Sequence, residues 1–162
     1  MTVRSAMSTD YIVSSLPSLS FGQPAPLSWE RFCSIVGTTD DGAPAIRPLA
    51  DWRDLETQLR NAVAEARGGA RYQRPATGCS LYWKNRILAC FQEKDVARRD
   101  ELLDRVWWDA AGELTPPAAP LGAGALATYA IRLKIALKRT AISKDAGNAA
   151  FDRLTAETKQ TF

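Results

Sequence analysis

The sequence predicts an all-α protein, a single-domain bundle of about five to six helices, and three stretches carry that prediction. Trp52, Leu55, Leu59, Ala62, Val63 and Ala66 recur at a clean helical period. From Cys79 to Ala111 there is neither glycine nor proline, so thirty-three residues are free to be helical. The third stretch, Gly124 to Ile142, is apolar on two sides of one helix. At 100° per residue Leu126, Ala130, Leu133 and Leu137 line one stripe, while Ile131, Ile135 and Ile142 line nearly the opposite one. An ordinary surface helix needs one apolar face. A helix with two is either packed between neighbours, its cations snorkelling out between them, or offers one stripe or seam as a docking surface.

Composition narrows the chemistry. A chain of 162 residues suits one domain that removes roughly 70% of its unfolded surface from water, with a radius of gyration of about 15 Å. Hydrophobic content of 46% and charged content of 24% belong to a folded protein, not to a disordered or membrane-spanning one. No apolar run approaches the roughly 18 residues of a spanning helix, and the opening MTVRSAMSTD lacks a secretory signal's apolar segment. The expected location is cytoplasmic, without direct membrane insertion. Cys33, Cys79 and Cys90 are odd in number and show no CxxC spacing, which suggests neither a disulfide framework nor a zinc site. Histidine is absent, and with it Ser-His-Asp, Cys-His and His-containing metal constellations. There is no GxxxxGK[ST] and no GxGxxG after a strand. No catalytic, cofactor-binding or metal residue is therefore expected. Net charge +3 and pI near 8.9 are mildly basic, short of the footprint of a dedicated nucleic-acid binder.

The elements follow in order. Residues 1–10 are expected to be a disordered end, and 11–162 the helical domain. Tyr11 to Phe21, YIVSSLPSLSF, fits a strand or a helical turn, and Pro17 argues against one continuous element. After the stiff loop of Gly22, Pro24 and Pro26, Ser28 is a natural N-cap for a helix carrying Trp29, Phe32, Cys33 and Val36, with Gly37 as its stop. Asp40, Asp41 and Gly42 lack the ligand spacing of a calcium loop and read as a solvated turn. Asp51 can cap the next helix, which Gly68 and Gly69 end.

One helix over residues 79–111 would be about 50 Å long, more than the compact body allows. Its apolar face, carried by Leu81, Leu88 and Phe91, fails at Gln92, Asp95 and Arg99 and resumes with Leu102, Leu103, Val106 and Trp107. Two helices with a hinge near residues 94–100 are expected, the second capped by Asp95 or Asp100; a single protruding helix is the alternative. Trp108 points away from the resumed stripe. It is a candidate partner anchor, or an indole covered by a neighbouring loop. Thr115 to Gly122, TPPAAPLG, cannot be helical and must be a linker or corner. On the two-striped helix that follows, Lys134 and Lys138 run up one seam and Arg132 and Arg139 up the other. An amphipathic turn or two around Phe151 and Leu154 closes the chain.

Two segments resemble a known group. Tyr11-Ile-Val-Ser-Ser-Leu-Pro-Ser-Leu-Ser-Phe-Gly with Pro26-Leu-Ser-Trp-Glu-Arg-Phe-Cys is similar to the opening of a small uncharacterised bacterial family encoded among the components of V-type ATP synthases. Leu126-Ala-Thr-Tyr129-Ala-Ile-Arg132-Leu-Lys, with Ala149-Ala-Phe151-Asp-Arg-Leu154, resembles that family's closing helices. The Leu-x-x-Tyr helix also resembles one in the C-type subunit of the V/A-type ATP synthases, the all-helical piece that joins the rotor's central shaft to the membrane ring. The C-type subunit proper is longer, and carries an acidic residue where this sequence has Gly124.

The resemblance implies a non-catalytic accessory or central-stalk subunit, peripheral to the inner membrane through its complex, that supports proton or sodium transport. Its partners would be the central shaft and the membrane ring. The partner-contact residues expected are Trp108, Arg132, Lys134, Lys138 and Arg139. The alternative is a small basic helical RNA-binding module using Arg67, Arg71 and Arg74 with Tyr72, although the modest charge argues against nucleic acid as a partner.

Overall fold

Capping side chains, glycines and prolines divide the chain where its apolar pattern breaks. The computed structural model describes residues 8–38, 46, 50–142 and 144–160. The expected turn at Asp40 to Gly42 and most of residues 1–10 lie outside them. The described residues contain seven α-helices and no strand: α1 Thr9–Ser15, α2 Trp29–Val36, α3 Ala50–Ala66, α4 Leu81–Cys90, α5 Val96–Ala111, α6 Ala123–Ala141 and α7 Lys144–Gln160. The fold is all-α.

Most boundaries obey the capping residues. The Ser28 hydroxyl accepts the Arg31 N–H, and Gly37 at φ +88° ends α2. Asp95 caps α5 by accepting the Ala97 N–H at 2.9 Å, which settles the 79–111 stretch as two helices. Three expectations shift. Thr9 and Asp10 are helical: α1 runs from Thr9 to Ser15, with the Ser14 and Ser15 hydroxyls bonded back to the Asp10 and Ile12 carbonyls, and it ends ahead of Pro17. Asp51 lies inside the first turn of α3, where its charge still favours the helix N-terminus. The closing element runs from Lys144 to Gln160, longer than a turn or two, because no proline interrupts its Ala, Glu, Lys and Gln residues.

The two-striped helix is the middle layer. On one side of α6, Leu126, Ala130 and Leu133 bury against Ile12 of α1 and Phe32 of α2. On the other, Ile135 and Ala136 pack with Trp108 of α5. Ile142 leaves the stripe, lying just past the helix end and 59% exposed. Beyond α5, a second core joins α3, α4 and α5 through Trp52, Leu59, Trp83, Ile87 and Val106. Cys33 and Cys90 are small core residues, as their helix faces suggest.

Polar groups fasten these layers. Thr128 of α6 is buried, and its hydroxyl donates to the Ala111 carbonyl at 2.7 Å, taking up an orphan acceptor at the end of α5. Tyr129 stacks on Phe32, with ring centroids 5.7 Å apart, and its hydroxyl donates to the Pro17 carbonyl at 2.8 Å. Burial pushes its phenol up from 10.0 to about 12. At Gly124, α6 passes so close to the chain leaving α5 that a Cβ would run into the Leu114 carbonyl.

Two outcomes follow. Gly124→Ala forces backbone from backbone and costs about 2 kcal/mol or more in urea unfolding, at the upper end of overpacking. The phenol keeps its proton in the fold while the unfolded chain loses it, so its contribution is complete below pH 10 and declines toward about 12. Tyr129→Phe makes the alkaline fall in the unfolding midpoint shallower across that window; an unchanged slope means the phenol is not buried in solution.

Candidate partner-binding groove

Helices α3 and α6 both pack on α5 but make no extended contact with each other. Between them lies an open groove of about 1240 Å³. Its floor is Val63, Leu103, Trp107 and Ile135, and its edges carry Arg53, Arg60, Arg67 and Arg74 on one side and Lys134 and Lys138 on the other.

The α3 edge has a simple origin. Arg53, Arg60 and Arg67 follow at seven-residue intervals, so they form one row along the helix. A neighbouring polar row, Asp54, Gln58 and Asn61, holds the loop that follows α3. Asp54 accepts the Thr77 N–H at 2.6 Å, Gln58 accepts the Ser80 N–H at 2.9 Å, and Asn61 both accepts from and donates to the Arg74 backbone. The Thr77 backbone bond, with help from Gln58, holds the Asp54 carboxyl below its ordinary pKa. Arg74 is thereby fixed at the rim. By composition this loop reads as solvated; the i, i+4, i+7 spacing of three polar side chains that can bond backbone is the signal for its attachment.

The groove's carboxylates are matched to cations. Glu56 pairs with Arg60 at 2.8 Å. Asp104, its side chain only 12% exposed, receives Lys138 at 2.8 Å and Arg139 at 3.2 Å, and Asp100 adds a 3.6 Å contact to Lys138. Burial lowers the Lys138 pKa, but the Asp104 bond and charge, with Asp100, outweigh it and leave the amine above its ordinary value. Arg53, Arg67, Arg74 and Lys134 have no carboxylate partner among the described residues. Lys134 lies over the Trp29 ring at 4.6 Å and Arg67 over Phe91 at 5.9 Å.

The expected contact residues therefore divide. Lys134 and Lys138 share one seam, and it opens on the groove. Arg132 and Arg139 are not an outward seam. Arg132 donates to the Trp108 carbonyl at 3.0 Å and stacks on its indole at 5.3 Å, while Arg139 pairs with Asp104 and covers Phe21. Their planar guanidiniums can lie flat on a ring and still donate hydrogen bonds in the ring plane, which a compact ammonium cannot do. Burial pulls the Arg132 pKa down, with Asp109 opposing and Arg105 adding to it. Trp108 is not an exposed anchor either: it is 6% exposed, with Phe21 edge-on at 5.5 Å. The loop ahead of α2 supplies that cover, a contact too distant in sequence for helix periodicity to show.

Compared with protein-family models, curated proteins and solved structures, the chain matches none.

Trp108→Ala removes a buried indole and two cation and aromatic partners at once. It should cost about 3–5 kcal/mol and lower the melting temperature by many degrees. A nearly unchanged melting curve would return Trp108 to the set of partner contacts.

Proposed function

We propose that the chain is a helical, non-catalytic component of a V/A-type ATP synthase, resembling its C-type subunit, that joins central shaft to membrane ring and so supports proton or sodium transport. The observation that carries this reading is where the two family-like segments lie. The opening segment supplies Ile12, Leu16, Leu19 and, after its loop, Trp29 and Phe32; all pack with Leu126, Tyr129, Ala130 and Leu133 of the later one. The tyrosine of the Leu-x-x-Tyr pattern is itself the joint, bonded to Pro17 and stacked on Phe32. Segments that resemble one family in sequence thus make one packed unit.

Other features support a docking role. A coupling piece has to hold its own core while presenting further surface to two partners, and α6 gives both its apolar faces to the core while its Lys134 and Lys138 seam stays on the groove. Phe151 on α7 is 66% exposed, in the segment that resembles the family's last helix. Among the described residues no helix is long and apolar enough to cross a membrane.

The test is affinity purification of the tagged protein from its own cell membranes after mild detergent extraction. Nucleotide-binding subunits and the membrane ring are expected among the co-purifying proteins. Ribosomal proteins with RNA, or no partner, would overturn the assignment.

A further inference from the structure

We infer that the groove between α3 and α6 binds an acidic amphipathic helix of a protein partner, its apolar face on Val63, Leu103 and Trp107 and its carboxylates along the two basic edges. The inference shares with the proposed function only the premise that the chain docks protein.

The shape of the charge distinguishes this occupant. Seven-residue spacing puts Arg53, Arg60 and Arg67 about 10.5 Å apart along α3, over about 21 Å in all. A helix lying alongside repeats its own side chains at the same seven-residue interval, so one row of glutamates can meet Arg53 and Arg67 and lie beside Arg60, which keeps its Glu56 partner. A nucleic-acid strand carries a phosphate about every 3.4 Å of rise and would find these cations too sparse on that edge. The floor points the same way: aliphatic side chains and an indole suit the apolar face of a helix set in a groove. The nearest stacking platform for a base, Tyr72, already has the Arg71 guanidinium 4.8 Å from its ring centre. The groove also exceeds the roughly 300–1,000 Å³ of a small-molecule pocket.

Charge complementarity selects the partner's sign. The groove's three carboxylates are each held by cations of this chain, while Arg53, Arg67, Arg74 and Lys134 line it with no carboxylate bound among the described residues. An approaching acidic helix gains these four without breaking an ion pair, and a basic one meets repulsion along both edges.

The test is fluorescence anisotropy with the full chain and a labelled helical peptide of about three heptads, leucine at a and d and glutamate at the flanking positions. Two competitors complete it: the same peptide with lysine for glutamate, and oligouridylate. The acidic peptide should bind, weaken with salt, and lose about tenfold or more in affinity to Arg53→Glu/Arg60→Glu, with circular dichroism confirming that this variant is folded. Both side chains are exposed, so the fold should persist; if the double variant unfolds, Lys134→Glu replaces it and should give the same loss. The lysine peptide should not bind. Absence of acidic-peptide binding, equal binding of the lysine peptide, or undiminished binding by a folded variant overturns the proposal, and tighter binding of oligouridylate would make the groove a nucleic-acid site. None of these outcomes depends on the membrane purification, so failure of the groove and failure of the ATP synthase assignment are told apart.

Discussion

The fold depends on the burial of α6 from both sides. Leu133 is fully buried on one face, Ile135 and Ala136 nearly so on another, and each large apolar side chain taken out of water is worth about 1.5–3 kcal/mol. A helix so placed cannot form its contacts alone. It needs α5 on one side and α1 with α2 on the other, which brings residues near the start of the chain against residues more than a hundred positions later, as the Tyr129 to Pro17 bond shows. Gly124 belongs to the same constraint. The first turn of α6 can reach the end of α5 only without a side chain there, so no other residue has room at this position.

The same burial decides what the four cations of α6 do. With α5 against its flank, the arginines at 132 and 139 face aromatic rings and a carbonyl, whereas the lysines at 134 and 138 stand at the edge that α5 leaves open. Asp104 is the pivot between the sets, since one nearly buried carboxylate takes both Lys138 and Arg139. A charge at that depth is tolerated because two cations and their hydrogen bonds replace its water.

Local patterns are legible in the sequence, and relations between distant segments are not. Ser28, Gly37, Asp95 and the paired glycines after α3 act within a few residues of themselves, so capping chemistry locates them. The two stripes of α6 are visible for the same reason, as periodicity. Which seam stays outside depends on where α5 lies, and that is a tertiary fact. Trp108 illustrates the limit: the helical wheel places it off the stripe correctly, but its cover is Phe21, from a loop with no periodic relation to α5. Half of the groove is visible as the Lys134 and Lys138 seam, and the Arg67 to Arg74 cluster as a separate patch. Only packing on a common neighbour makes the two into opposite edges of one surface.

That surface has a physical cause beyond coincidence of charge. Two helices packed on a common third without touching each other leave a valley, which large apolar side chains or a tighter crossing would close. Here the valley is floored by Leu103 and Trp107, both only partly buried, and edged by long cationic side chains. Leaving an indole and a leucine partly in water forgoes burial that a bulkier residue at Ala64 could have supplied. The loop after α3 is meanwhile sewn down by three side chains, so Arg74 is held at the rim and does not close the gap. An open, oriented, apolar-floored valley with fixed edges is stable by itself and gains most from an occupant that brings its own apolar face.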